Sequence, residues 1–78
     1  MTQAVIFPRE IVKFALLKNA AAIICGHNHP SGEVNPSGDD QAITRKIKQA
    51  CGLVDIQLLD HLIIAGGEFF SFADEGLI

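Results

Sequence analysis

The run Ala20-Ala21-Ala22-Ile23-Ile24-Cys25-Gly26-His27-Asn28-His29-Pro30 decides how this chain folds. Its first six residues are apolar and of strand length, so Ala20 to Cys25 is predicted to be a strand covered on both faces. Two histidines follow at positions i and i+2. On extended backbone they point to the same side, because side chains alternate across a strand. Two prolines and two glycines then predict a loop over His27 to Gly38.

Two helices are predicted on either side of this stretch. The first spans about residues 8–19, because Pro8 suits a first helical position and Glu10 suits the positive end of the helix dipole. The second begins at Ser37 and ends at Gly52. Apolar residues at helical spacing predict the buried stripes, which are Ile11, Phe14, Ala15 and Leu17 in the first helix and Ala42, Ile43, Ile47 and Ala50 in the second.

Two further strands complete the predicted architecture. Val54 to Ala65 and Glu68 to Phe72 are predicted strands, joined by a tight hairpin turn at Gly66-Gly67. The resulting order is α-β-α-β-β. The sequence therefore predicts an α/β (α+β) fold, in which a three-stranded sheet is flanked by two helices. Such a sheet leaves an apolar edge uncovered, and a homo-oligomer would cover it.

Composition restricts the class of protein. With 78 residues, the chain is predicted to be one small domain that buries roughly 60% of the surface of the unfolded chain. The net charge of −3 would repel the phosphates of nucleic acid, so direct nucleic acid binding is not predicted. No apolar run approaches the ~20 residues that span a bilayer. The two cysteines form no disulfide framework and follow no secretory signal, which predicts a cytoplasmic protein without a membrane segment.

The histidine pair and a later acid predict a metal site. His27, His29 and Asp40 are the ligand set of a catalytic zinc centre, in which a fourth position stays open to water. Imidazole and carboxylate also suit iron, nickel or manganese, so ligand type alone favours Zn²⁺ without excluding these metals. Ser37 is predicted to donate a hydrogen bond to the oxyanion of a tetrahedral intermediate.

A competing interpretation needs no metal. Ser37-x-x-Asp40 is also a capping box, in which the serine caps a helix and the acid returns a bond to the backbone of the cap residue. A surface H-x-H pair often binds nothing. The three-letter run His27-Asn28-His29 is not the signature of an HNH nuclease, because that motif has its named residues scattered along a ββα unit.

Other residues have two interpretations each. Cys25 is either a soft metal ligand or a buried core residue, and burial is favoured. Asp60-His61 is either a pair that orients a metal ligand or a structural feature, and only one of the two can face the site. A structural role is favoured for His61. The remaining candidates are packing or solvated residues: Cys51 at a helix end, the basic cluster Arg45, Lys46 and Lys48, and the aromatic residues Phe69, Phe70 and Phe72.

These motifs together resemble the JAMM (MPN) metalloprotease superfamily. The residues that carry the resemblance to its RadC branch are Phe7-Pro8-Arg9-Glu10, His27-Asn28-His29-Pro30-Ser31-Gly32, Pro36-Ser37, Asp40 and Leu59-Asp60-His61. The resemblance covers essentially the whole chain. It implies a cytidine-deaminase-like fold, zinc bound by His27, His29 and Asp40, and Ser37 as the oxyanion donor. It also implies that a zinc-activated water hydrolyses a peptide or isopeptide bond in an unknown peptide or protein.

The sequence departs from this family pattern at the general base. The resemblance implies a glutamate on an early strand, but none of the seven residues before Pro8 is acidic. Glu10 is assigned to the helix start and Glu33 to the loop, so neither is a favoured substitute. Residues 1–78 are therefore predicted to be a single partial RadC-like JAMM/MPN domain without its N-terminal strands. The alternative to a hydrolase is a non-catalytic interaction module. A role in DNA repair rests only on the naming of the RadC branch.

Overall fold

The structure, a computed structural model, describes residues 7–78. Its elements follow the predicted order α-β-α-β-β and confirm an α+β fold. They are helix α1 (Pro8–Leu17), strand β1 (Ala22–Asn28), helix α2 (Gly38–Gly52), strand β2 (Gln57–Ala65) and strand β3 (Glu68–Ser71). Within the described residues, no helix is both long enough and apolar enough to cross a membrane.

The three strands form one mixed sheet in the order β1-β2-β3. Strand β1 is parallel to β2, and α2 supplies the crossover that parallel neighbours require. Strand β3 is antiparallel to β2 through a hairpin. Gly66 and Gly67 both have positive φ, at 56° and 78°, as the predicted tight turn requires.

A register shift between β1 and β2 sets the orientation of the middle of β2. Ile23 pairs with Leu58, but the next residue, Ile24, pairs with Asp60, so Leu59 is one residue in excess. Such a bulge interrupts the alternation of side chains between the two faces. Leu58 and His61 are consequently both buried on the helix-covered face, although they are three positions apart.

The core lies between this face of the sheet and the helices. Its fully packed members are Ala15 of α1, Ile47 and Cys51 of α2, Ile56 just before β2, and Leu58 near the start of β2. Cys25 is half-buried against the same cluster, and both cysteines are free thiols. The favoured interpretation of Cys25 and Cys51 as packing residues is confirmed.

Burial elsewhere differs from the sequence prediction. Strand β1 was predicted to be covered on both faces, but it alternates between exposed and half-buried residues, and Ile24 is 62% exposed. In α1 the predicted stripe is wrong at Phe14 and Leu17, which are 63% and 72% exposed. The helices pack on one face of the sheet only. In the described part of the chain, the opposite face therefore leaves Ile64 and Phe69 open to solvent.

Three predicted boundaries also shift. Strand β1 extends to Asn28, so His27 belongs to the strand and not to the loop. Helix α1 stops at Leu17, and Asn19 adopts a positive φ of 53° just after it. Strand β2 starts only at Gln57, because a turn with Asp55 at φ 60° follows α2. These endings depend on backbone hydrogen bonds that hydrophobic patterning does not report.

Asp60 ties β2 to the segment that follows β3. Its Oδ1 accepts hydrogen bonds from the backbone N–H groups of His61 (2.7 Å) and Ala73 (3.0 Å), and its Oδ2 accepts from the Ser71 hydroxyl (2.6 Å). Burial alone would raise the pKa of Asp60, but the hydrogen bonds from Ser71, Ala73 and His61 outweigh burial and lower it. The ionised carboxylate is therefore the form that stabilises the fold.

We expect Asp60→Asn to lower the free energy of unfolding by about 1–3 kcal/mol, because the amide has one acceptor oxygen for three donors. A lowered pKa means that the carboxylate stabilises the fold above its unfolded pKa, about 3.9. This contribution disappears as the pH falls through the folded value, and the variant should lack that part of acid denaturation. Urea titrations from pH 2.5 to 7 measure both effects. Asp55→Asn, at an exposed positive-φ position that asparagine tolerates, is the matched control; equal midpoints for the two variants would contradict the prediction.

Candidate metal centre

The three predicted ligands meet where β1 ends. His27 is the penultimate residue of β1, His29 follows the strand directly, and Asp40 lies in the first turn of α2. Their side chains are only 14%, 18% and 17% exposed. One ligand atom from each residue lies within 4.8 Å of the others. The structure therefore brings the two histidines and the aspartate into one cluster.

The distances in this cluster fit a tetrahedral metal. His27 Nε2 lies 3.0 Å from His29 Nε2 and 3.5 Å from Asp40 Oδ1, and His29 Nε2 lies 3.1 Å from Asp40 Oδ2. Nitrogen and oxygen ligands at their usual distances from tetrahedral zinc are about 3.3 Å from one another. The donor atoms are thus already spaced as the ligands of one small cation.

Hydrogen bonds at the other ring nitrogens direct both Nε2 atoms into the cluster. His29 Nδ1 lies 2.7 Å from the carbonyl oxygen of Glu33, which can only accept, so Nδ1 carries the proton. His27 Nδ1 lies 2.8 Å from His61 Nε2. Metal-binding histidines usually make such a bond through the second nitrogen. Two nitrogen donors and a carboxylate therefore converge, which is the arrangement that a cation stabilises.

Asp40 is both the acid of the capping box and a member of the histidine cluster, the two roles that the sequence analysis treated as alternatives. The Ser37 N–H donates to Asp40 Oδ2 (2.8 Å), and the Asp40 N–H donates to Ser37 Oγ (3.0 Å), which is a complete capping box. The same carboxylate reaches both histidines. The helix cap therefore orients the acid towards the cluster, and the two interpretations are compatible.

The electrostatics of the cluster favour the forms that bind metals. Burial would raise the pKa of Asp40, but hydrogen bonds from the backbone and side chain of Ser37, with the charges of His27 and His29, lower it. Burial lowers the pKa of His27 more strongly than Asp40 raises it. Near neutral pH the aspartate is therefore ionised and His27 is neutral, as metal coordination requires.

Three groups around the cluster were not assigned to it from the sequence, namely the His61 side chain, the Thr44 hydroxyl and the Glu33 carbonyl. His61 was favoured as a structural residue, but it contacts His27 and is also bonded to Thr44. The carbonyl of Glu33 orients His29. Burial and His27 both lower the pKa of His61. The sequence signal for His61 was present in Asp60-His61, but the choice between these neighbours depends on the bulge at Leu59.

The other candidates do not join the cluster. Within residues 7–78, the one group of His, Cys, Asp or Glu side chains that can hold a metal contains no second acid and no cysteine. Burial and the neighbouring Cys51 raise the pKa of Cys25, which keeps it a thiol. Glu10 is an exposed residue beside Arg9, with 3.9 Å between its Oε2 and the arginine Nε. The cluster therefore consists of His27, His29 and Asp40.

An α+β domain in which two histidines at the end of a parallel strand meet an aspartate of the following helix matches the class of JAB/MPN-type domains with a candidate metal site. The chain belongs to the RadC-like JAB domain family, whose model matches residues 1–77. The resemblance deduced from the motifs is thereby confirmed.

Curated relatives support this family assignment. The UPF0758 protein YeeS of Escherichia coli strain K12 is 56% identical over 73 residues, which are 94% of this chain and 49% of that protein. The UPF0758 protein NE1464 of Nitrosomonas europaea is 54% identical over 78 residues, which are 100% of this chain and 35% of the relative. The chain thus spans about a third to a half of the length of these relatives.

Proposed function

We propose that this chain is a zinc-binding domain whose site serves the hydrolysis of a peptide or isopeptide bond. The observation that carries the proposal is the convergence of His27 Nε2, His29 Nε2 and the Asp40 carboxylate at 3.0–3.5 Å. Two imidazoles and one carboxylate are a common zinc ligand set with one open coordination position. Zinc in such a site lowers the pKa of a bound water, so that hydroxide is available near neutral pH.

Ser37 is the residue that we propose as the oxyanion donor. Its Oγ accepts the Asp40 N–H at 3.0 Å and still has its own hydroxyl proton to donate. The residue is the N-cap of α2 and immediately precedes the first turn, which contains Asp40. A donor held by backbone contacts in this way needs little rearrangement when charge develops on a substrate carbonyl.

We expect Ser37→Ala to lower the free energy of unfolding by about 1 kcal/mol, because the capping box loses its side-chain acceptor. Metal affinity should fall as well, since Asp40 loses part of the contact that orients it. Ser37→Thr is the matched control, because threonine keeps the hydroxyl and the cap. Denaturant titration and metal titration of both variants measure these effects. A Ser37→Ala variant as stable as Ser37→Thr would contradict a capping role.

A second candidate function is a non-catalytic interaction module that keeps the fold and the metal. It is favoured by the composition of the cluster, which within residues 7–78 holds no acid besides Asp40. Hydrolysis by a metal-activated water requires a general base at hydrogen-bond distance, and the loss of such a base reduces the rate by about 10²–10⁴-fold. Metal binding does not depend on that base.

Metal analysis and a cleavage assay separate the two candidates. The purified chain is stripped with a chelator, reloaded with Zn²⁺ and analysed for bound metal by mass spectrometry. It is then incubated with a peptide library and with an isopeptide-linked peptide pair, with and without Zn²⁺. Cleavage that depends on Zn²⁺ supports the hydrolase. Bound zinc without cleavage supports the non-catalytic module, and the absence of bound zinc contradicts both.

The proposed setting is a cytoplasmic protein that acts on a peptide or protein partner. The net charge of −3 argues against direct binding to nucleic acid, including a role in DNA repair through DNA contact. Within the described sheet, β1 forms an edge with no further strand beside it. We propose that a second copy covers this edge, which light scattering of the purified chain tests through its mass in solution.

A further inference from the structure

Two uncharged polar side chains lie in the core beside the metal centre. His61 is fully buried, and Thr44 of α2 is 2% exposed. Buried polar groups are almost always hydrogen-bonded, and these two form a chain with the neighbouring residues. His27 Nδ1 meets His61 Nε2 at 2.8 Å, His61 Nδ1 meets Thr44 Oγ1, and Thr44 Oγ1 lies 2.7 Å from the Asp40 carbonyl oxygen.

The Asp40 carbonyl oxygen is the last acceptor in this series of hydrogen bonds, and it determines which atom donates in each of the others. The carbonyl of Asp40 has no proton, so the Thr44 hydroxyl donates to it. The threonine oxygen therefore accepts from Nδ1–H of His61. Burial favours the neutral imidazole, which has a single N–H, so Nε2 of His61 is an acceptor. His27 must then donate its Nδ1–H to His61, and its Nε2 lone pair is left free.

We propose that His61 and Thr44 are positioning residues that hold His27 in the tautomer whose Nε2 binds the metal. This inference rests on the metal site proposed above. The series of hydrogen bonds starts at one proposed ligand, His27, and ends at another, Asp40. The Asp40 carbonyl accepts from Thr44, while its carboxylate lies in the cluster. The series thereby connects β1, β2 and α2 through the core.

The second histidine is oriented independently of this chain. His29 Nδ1 donates to the carbonyl of Glu33 in the loop before α2, so its tautomer depends on local backbone. His27 has no such backbone acceptor in its Nδ1 contact and uses a side chain from β2 instead. Changes at Thr44 or His61 should therefore affect the tautomer of His27 and leave that of His29 unaltered.

The direct test is to locate the ring protons by long-range ¹H–¹⁵N correlation spectroscopy of the metal-free, ¹⁵N-labelled chain. We expect the proton on Nδ1 in both His61 and His27. Thr44→Val removes the acceptor for His61 at nearly constant volume and should alter the tautomer populations of His61 and His27. Thr44→Ser keeps the hydroxyl and should leave them unchanged. A proton on Nε2 of His61 in the parent chain overturns the proposal.

Zinc affinity supplies the second readout, measured by competition with a chromophoric chelator. We expect about 10–100-fold weaker binding for Thr44→Val and His61→Leu, as for other residues that support metal ligands. Thr44→Ser should bind like the parent. His61→Gln should recover part of the loss, because its amide oxygen can accept from His27 near the position of Nε2. Folded Thr44→Val and His61→Leu variants with parental affinity overturn the proposal.

The two readouts separate this proposal from the metal site on which it rests. If the parent protein shows the expected tautomers but binds no Zn²⁺, the proposed function is contradicted. The hydrogen bonds from His27 through His61 and Thr44 to Asp40 then have no metal ligand to position. A parent that binds Zn²⁺ but has His61 protonated on Nε2 keeps the metal site and contradicts the positioning role. If Thr44→Val does not fold, the parental tautomers and the His61→Gln variant still decide the outcome.

Discussion

Asp40→Asn is expected to abolish stoichiometric zinc binding while the fold is retained. Asparagine has the shape of aspartate, and its amide oxygen can still accept the N–H of Ser37 in the capping box. It has no negative charge to offer a cation bound between it and His27 and His29, whose Nε2 atoms lie 3.1–3.5 Å from the Asp40 carboxylate. We expect zinc affinity to fall by more than about 100-fold, the upper range for residues that only support a ligand.

Asp39→Asn is the matched control for this experiment. Asp39 precedes Asp40 in the first turn of α2 and is exposed, so its substitution removes the same charge from the same helix dipole. Both variants should lose about 0.3–1 kcal/mol of helix stabilisation. Only Asp40→Asn should lose zinc in a chelator competition. Parental zinc affinity in Asp40→Asn would reduce Ser37-x-x-Asp40 to a helix cap and contradict the assigned ligand set.

Phe72→Ala is expected to cause the largest loss of stability. Phe72 is 1% exposed, stacks on His61 with 4.8 Å between ring centroids and meets the edge of Phe70. Truncation of a buried phenylalanine to alanine costs about 3–5 kcal/mol. At about 0.05–0.15 kcal/mol per residue, a chain of this length has only about 4–12 kcal/mol of total stability. The variant should therefore lose at least about a quarter of its free energy of unfolding, and it should unfold at 25 °C if the parent chain lies at the lower end of this range.

Phe69→Ala provides the comparison within the same hairpin. Phe69 belongs to β3 but is 65% exposed, on the face of the sheet that the helices do not cover. Its substitution should change the free energy of unfolding by less than about 0.5 kcal/mol, as is usual at the surface. Urea unfolding followed by circular dichroism measures both variants. Similar midpoints for Phe69→Ala and Phe72→Ala would show that Phe72 does not anchor the core.

Much of the fold could be predicted from the sequence because its signals are local. The apolar run before His27 indicates a strand, Pro8 fixes a backbone angle at the start of α1, and Gly66-Gly67 permits the positive φ angles of a tight turn. Burial was predicted less well. Phe14 and Leu17 have the helical spacing of core residues, yet they are exposed because α1 contacts the rest of the protein along a narrower face. Spacing reports amphipathicity but not how far a partner surface extends.

The candidate site, like the fold, could be predicted from the sequence only in part. The sequence by itself predicted that His27 and His29 share a side if their backbone is extended, and it predicted the conformation of Asp40 from the four-residue capping box Ser37-x-x-Asp40. The tertiary structure alone decided the rest. The excess residue Leu59, visible only in the pairing of β1 with β2, turns His61 into the core and onto His27. Register is a property of two strands that are distant in sequence, so no pattern within one segment contains it.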